Sequence, residues 1–151
     1  MNRQLPWIHI ELVPLYLQIR NLRRFTKEFY LGLSLHPEYA ERVGQATAEL
    51  LEVVAQATHA DWVRFDLRLF GLYTEISAAS QATRKQRETL QQLVSEVSEG
   101  LAREAFAQSL ERENVDGIRK SGLCRLRHEA GAELCLSPLD EDICLVLRIP
   151  I

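Results

Sequence analysis

The side chains that most often catalyse reactions or bind metals are sparse in this sequence and form no recognised motif. The four histidines, from His9 to His128, include no pair spaced i, i+4, so they do not indicate a metal site on a helix face. No P-loop and no Gly-x-Ser-x-Gly nucleophile motif occurs. Cys124, Cys135 and Cys144 have no CxxC spacing, and their odd number argues against a disulfide framework. We expect all three to be small buried side chains.

Basic residues are concentrated on one predicted helix, where Arg20, Arg23, Arg24 and Lys27 lie close together. Complementary charge steers the association of proteins, so this cluster is a candidate docking patch for an acidic partner. The alternative is a solvated helix face with no partner.

The composition is that of one globular domain. The chain has 151 residues, of which 46% are apolar and 26% charged. The net charge of −3 argues against a nucleic-acid partner, since such proteins are usually basic. No apolar run approaches the roughly 18 residues of a membrane span. The segment Met1–Val13 does not have the form of a secretory signal. We therefore expect a cytoplasmic protein without a membrane role.

The first half of the chain changes from strand to helix periodicity. Alternation over Trp7–Val13 predicts a strand, which ends before Pro14. A helix follows, with Gly32 near its end, and a second helix begins at Pro37 and ends near His59. The predicted inner face of the first helix is Leu15, Ile19, Leu22, Phe25, Phe29 and Leu33. That of the second helix is Val43, Ala46, Leu50, Val54 and Ala57.

The second half begins with the clearest alternation, over Trp62–Leu69, followed by a predicted antiparallel partner at Leu72–Ser77. After the small and polar segment Ala78–Arg87, an apolar helical stripe runs from Leu90 to Leu110. Three shorter elements are predicted beyond it. They are a helix capped by Ser121 and closed by Gly131, and strands at Glu133–Ser137 and Ile143–Ile149.

The order of elements, β-α-α-β-β-α-α-β-β, predicts an α/β two-layer sandwich (α+β). In it a mostly antiparallel, mixed sheet is covered by helices on one face.

The segment Leu22–Thr58, which contains LRRFTKEFYLGL and AERVGQATAELLEVVAQAT, resembles the start of anti-sigma-factor serine kinases of the GHKL (histidine-kinase-like ATPase) superfamily. The hairpin Val63–Ser77 is similar to the family's next strand pair. The tail Ser121–Leu134 is similar to its second glycine motif, short helix and strand. The resemblance implies a Bergerat-like fold over residues 1–151, with residues 82–120 in the place of the ATP lid.

The same resemblance indicates which residues a kinase would need on the second helix. Active members have Glu and Asn four residues apart, where Asn holds Mg²⁺ and Glu orients the nucleophile. This sequence has Glu49 but Val53 at the Asn position, and valine offers no metal ligand. Glu52 projects about 100° away around the helix and is a poor substitute.

Two further family motifs are also degenerate. The Asp and glycines that contact adenine are replaced by Ile76–Gln81, including Ser77 and Ala78, which contain no acid and no glycine. Ser121–Gly122 survives from the phosphate-binding turn, but Cys124 follows where another glycine is usual. Ser-Gly at a helix N-terminus is a weak anion signal, and a simple N-cap is the plainer interpretation.

These departures favour a non-catalytic regulatory protein, a pseudo-kinase of the anti-sigma type that acts by protein contact. The resemblance implies a STAS-domain or other signalling partner. A homodimer is also plausible, because the stripe after Leu90 must be buried somewhere; we favour burial within the chain. We expect no cofactor. ATP and Mg²⁺ belong to the first alternative, an active serine/threonine kinase using Glu49. The second alternative is a structural or assembly protein.

Overall fold

The computed structural model describes residues 8–99, 114, 115, 117–138 and 142–151. Four helices occur in this part of the chain: α1 (Tyr16–Gly32), α2 (Pro37–Thr58), α3 (Arg84–Glu99) and α4 (Lys120–His128). The strands are β1 (Ile8–Leu12), β2 (Val63–Leu69), β3 (Tyr73–Gln81), β4 (Asn114–Val115), β5 (Ile118–Arg119), β6 (Glu133–Pro138) and β7 (Asp142–Pro150). The predicted helix over 101–110 lies outside the described residues.

The main sheet has five strands in the order β1-β2-β3-β7-β6, and every neighbouring pair is antiparallel. The two predicted hairpins, β2–β3 and β6–β7, are joined through β3 and β7. In their register Ile76 lies opposite Leu147. One face of the sheet carries fully buried residues, such as Phe65 and Leu145, and α2 packs against β2, β3 and β7. The fold is therefore the predicted two-layer α/β sandwich.

Helix α2 forms the centre of the helical layer, because its apolar positions follow the helical period. All five residues predicted for its inner face are 3% exposed or less. His36 caps its N-terminus by accepting a hydrogen bond from the Glu38 backbone N–H, and Pro37 occupies the first turn. The apolar stripe of α3 is also buried in the common core over Leu90–Val97. For the described part of that stripe, the expected burial within the chain is confirmed.

The predicted inner face of α1 is partly wrong. Ile19 and Leu22 are buried, but Phe25 is 47% exposed, and Leu15 and Leu33 are exposed too. Thr26 and Tyr30 take the inner positions. The apolar pattern did not include Thr26 in the buried face. Its hydroxyl donates to the Leu22 carbonyl, and this hydrogen bond allows the side chain to be buried.

A buried hydroxyl network joins both long helices to the sheet. Tyr30 of α1 and Tyr39 of α2 each lie within hydrogen-bond distance of Thr74 Oγ1 in β3, at 2.8 and 2.7 Å. The Tyr39 hydroxyl also donates to the Ile149 carbonyl of β7 at 2.8 Å. Each hydroxyl has one proton to donate, and this fixes the direction of every bond in the network. Tyr30 donates to Thr74, Thr74 donates to Tyr39, and Tyr39 donates to the Ile149 carbonyl.

Two boundaries and one burial prediction need correction. Strand β3 continues to Gln81 instead of ending at Ser77, because Ala78–Ser80 pair with β7 despite their low strand propensity. Helix α4 begins at Lys120, so Ser121 lies inside it, and the N-cap Arg119 makes no side-chain cap hydrogen bond. Only Cys124 of the three cysteines is buried; Cys135 is exposed and Cys144 is intermediate, since both lie on the sheet face away from the core.

Candidate functional site

The candidate site is the contact between α2 and α4. Glu49 and Val53 lie one turn apart on α2, so their side chains share a helical face. Facing them is the first turn of α4. The Arg125 Nε–H donates to Glu49 Oε1 at 2.7 Å, in an ion pair that is about one-quarter to one-third exposed. The hydrogen bond to Glu49 raises the pKa of the Arg125 guanidinium, which stays charged.

Gly122 allows the two helices to approach closely. A Cβ atom at this position would lie 3.1 Å from Glu49 Oε2 and 3.3 Å from Val53 Cγ2. Val53 itself is 1% exposed. The space beside Val53 is thus filled by the α4 backbone, and Glu49 is already paired with Arg125. These residues do not fit a bound Mg²⁺, which would need several oxygen ligands.

Glu52 lies at the edge of the same contact. Its partial burial raises the pKa of the Glu52 carboxyl, and the neighbouring Glu49 carboxylate raises it further. Arg119 and Arg125 act in the opposite direction. The folded state therefore favours the protonated form of the Glu52 carboxyl.

A pocket of about 240 Å³ lies beside this contact. Its lining includes Arg23 of α1, Glu49 and Glu52 of α2, and Arg125 of α4. The volume is below the roughly 300–1,000 Å³ typical of small-molecule sites.

The structure brings together five of the seven residues predicted for a nucleotide pocket and separates the other two. Glu49, Glu52, Val53, Ser121 and Gly122 all belong to the α2–α4 contact region, and Ser121 is 5% exposed. Ala78 is a fully buried core residue of β3. The Ser77 side chain points to the opposite face of the sheet, because successive strand residues alternate. Ser77 pairs with Asp66 and Val146 there, away from α2.

A larger pocket, of about 650 Å³, lies beyond the C-terminus of α2. Its lining includes His59, Asp61, Trp62 and Arg87. None of the predicted nucleotide-pocket residues contributes to it. Its size alone therefore does not support the kinase alternative.

The basic cluster on α1 divides into two pairs. Arg23 Nη2 and Lys27 Nζ lie 3.0 and 2.7 Å from the carboxylate oxygens of Glu41 on α2. Hydrogen bonds from Lys27 and Arg23 lower the pKa of the Glu41 carboxyl. Arg20 and Arg24 are exposed and have no ion-pair partner among the described residues. Only this second pair is available to an acidic partner without breaking an existing bond.

Sequence reasoning missed Arg125, the residue that closes the candidate site. A signal was present, because Arg125 follows Gly122 by three positions and so shares its helical face. Among residues 8–99, 114, 115, 117–138 and 142–151, no cluster of three or more His, Cys, Asp and Glu residues could hold a metal ion. In the same ranges, no helix combines the length and apolar character that a membrane span requires.

These elements define a two-layer α/β protein whose α2–α4 contact is closed by an ion pair and a glycine. No protein-family model and no curated protein matches the chain in sequence. In structure it is similar to a chain in the crystal structure of the SiaB–SiaC complex from Pseudomonas aeruginosa, with a TM-score of 0.74 and 15% identity. The match covers 99% of this chain and 92% of that one. At this identity the likeness shows a shared fold.

Proposed function

We propose that this chain is a non-catalytic regulatory module that acts by binding another protein. The observation that carries the proposal is the closed α2–α4 contact. Val53 replaces the expected metal ligand and packs against Gly122, while Arg125 pairs with Glu49, the acid that the kinase motif would use. Phosphoryl transfer depends on a metal ion that neutralises the phosphate charge, and this contact has no metal ligand at the Val53 position.

The partner is a protein in this proposal. The structurally similar chain comes from a complex of two proteins, which supports function by protein contact. The GHKL resemblance of Leu22–Thr58 adds a more specific proposal, that the chain is a pseudo-kinase of the anti-sigma type with a STAS-domain partner. Fold alone does not fix function, so both points need a binding experiment.

The proposed docking patch is the basic cluster of α1. Arg20 and Arg24 would form new ion pairs with the partner. Arg23 and Lys27, held by Glu41, would add positive potential around them. Association driven by such charges is steered at long range and weakens with added salt.

Nucleotide binding is the first test of the proposal. A ligand at 100 times its dissociation constant stabilises the folded state by about 2.7 kcal/mol. In a domain of this size that raises Tm by about 5–10 °C. We expect no shift with millimolar Mg·ATP or Mg·ADP. A shift of several degrees that Glu49→Gln abolishes would overturn the non-catalytic assignment.

The docking patch is tested by immobilising two charge-reversed variants and comparing how much partner each one retains. Arg20→Glu/Arg24→Glu should lose a STAS-domain partner that the wild-type protein retains at low salt. The matched control, Arg84→Glu/Lys85→Glu, makes the same charge change on the exposed first turn of α3 and should retain it. Equal retention by both variants would show that α1 is not the docking surface.

An active serine kinase is the second candidate, because Glu49 and Gly122, which the resemblance assigns to the catalytic and phosphate-binding motifs, lie next to each other. Catalysis would require α4 to move away from α2 and break the Glu49–Arg125 pair. Transfer of labelled phosphate to a protein partner, lost in Glu49→Gln, is the result that this candidate needs.

A further inference from the structure

The exposed side of α1 carries a row of five residues that is symmetric in sequence. Leu17, Arg20, Arg24, Glu28 and Leu31 are spaced by three, four, four and three positions, so Arg24 is the midpoint. At 3.6 residues per turn they fall within an arc of about 80° on the side opposite the buried face. We call these five residues the α1 ridge.

The two ends of the α1 ridge are apolar and solvent-exposed. Leu17 is 65% exposed and Leu31 is 39% exposed. Beside them, Tyr16 is 72% exposed, and a Cβ atom added to Gly32 would meet nothing within 4 Å. Each end of the α1 ridge therefore carries an apolar side chain that leaves water only if another molecule covers it.

The middle of the α1 ridge carries charges that are not neutralised within the described part of the chain. Arg20, Arg24 and Glu28 are exposed and form none of the ion pairs found there. Arg24 and Glu28 are spaced i, i+4, but with the base nearer the N-terminus, which is the weaker orientation for an intrahelical pair. Glu28 thus remains available to a cation of another molecule.

We propose that the α1 ridge binds the α1 ridge of a second copy of this chain, antiparallel, about a two-fold axis through Arg24. Symmetry then places Leu17 opposite Leu31 of the second copy and Arg20 opposite Glu28 of the second copy. Two such apolar contacts and two such ion pairs form at once. Both kinds of contact form together when the two α1 axes are nearly antiparallel, because Leu17 and Leu31 lie within about 20° of the Arg24 direction around the helix and Arg20 and Glu28 within about 40°.

The Arg24 side chains of the two copies meet at the axis, and their like charges oppose association. The dimer is therefore weak and depends on the ion pairs around it. Replacing Arg24 with leucine removes the repulsion and adds apolar surface, so Arg24→Leu strengthens the dimer.

Sedimentation equilibrium over a concentration series tests this arrangement. Arg20→Glu and Glu28→Arg should each raise the dimer dissociation constant by about tenfold or more, because each turns two attractive pairs into repulsive ones. The charge swap Arg20→Glu/Glu28→Arg should restore it to within a few-fold of wild type. Arg84→Glu on α3 is the control and should leave it unchanged. Circular dichroism confirms that each variant is folded.

Three outcomes would overturn the proposal: a wild-type protein that stays monomeric at the highest concentration, a dimer indifferent to Glu28→Arg, or a charge swap that fails to restore association. The proposed partner binding is tested separately with the same variant. Glu28→Arg adds positive charge beside Arg20 and Arg24, so it should abolish the dimer while retaining an acidic partner. If the wild-type protein does not bind an acidic partner, that result counts against the proposed function and not against the dimer.

Discussion

The Nε–H of Arg125 donates to Oε1 of Glu49 across 2.7 Å, and this bond fastens α4 to α2. We expect Glu49→Gln and Arg125→Met each to lower the free energy of unfolding by about 1 kcal/mol, since each leaves a partly buried charge without its partner. The double variant should cost less than the sum, and urea denaturation of all four proteins measures the coupling. Additive losses would show that the pair contributes nothing to stability.

The close approach of α1 and α2 at Gly44 can be tested with a glycine pair. A Cβ atom at Gly44 would lie 3.2 Å from the Arg23 carbonyl oxygen and 3.3 Å from Lys27 Cβ, so Gly44→Ala requires the α1 backbone to shift by a few tenths of an ångström. We expect a loss of about 1–3 kcal/mol. Gly32→Ala is the control, because that site is open and alanine favours the helix by up to about 1 kcal/mol. Thermal unfolding should give Tm changes of opposite sign.

Burial raises the pKa of Tyr30 well above its usual value near 10, an effect that the hydrogen bond to Thr74 only partly offsets. The unfolded chain therefore loses the Tyr30 proton first as pH rises. Its stabilising contribution is complete below about pH 10 and is lost above it. We expect Tyr30→Phe to lower stability by about 1 kcal/mol at pH 7 and to reduce the alkaline loss. Tyr16→Phe, at an exposed position, should not change stability at pH 7.

The ionised Glu52 side chain should lower the stability of the folded state at neutral pH. Burial and the Glu49 carboxylate raise its pKa, so the folded state binds its proton more tightly than the unfolded state. The contribution of Glu52 to the free energy of unfolding therefore falls as pH rises above about 4.3, the pKa of a glutamate in the unfolded chain. We expect Glu52→Gln to raise Tm at pH 7 and to have no effect near about pH 3, where both side chains are neutral. Glu88→Gln, which removes only the exposed Arg84–Glu88 pair on α3, is the matched control and should change Tm little at either pH.

The sequence predicted those elements whose hydrophobic period is regular. In α2 the stripe from Val43 to Ala57 matched the buried face, and in β2 the alternation of Val63, Phe65 and Leu67 matched the core side of the sheet. The buried face of α1 was harder to predict, because the buried Tyr30 hydroxyl is satisfied by Thr74 of β3, a partner that no local sequence pattern reveals. Apolar identity alone placed Phe25 inside, whereas the structure exposes nearly half of it.

The candidate site was predictable only in part. Glu49, Val53 and Gly122 lie on regular helices, so their spacing was enough to bring them to one contact. Ser77 lies apart from these residues, because it alternates with the core-facing Ile76 and Ala78 along β3 and its side chain points away from α2. The strand order that sets this pairing comes from contacts distant in sequence.

Strand β7 occupies an inner position of the sheet, paired with β3 on one side and β6 on the other. Residues 8–138 therefore cannot complete their sheet until Asp142–Pro150 has left the ribosome. Until then the edge of β3 and the apolar side of α2 stay exposed on the nascent chain, which is a state open to aggregation. Closure of the sheet between β3 and β6 therefore waits for β7, the last strand of the domain to be synthesised.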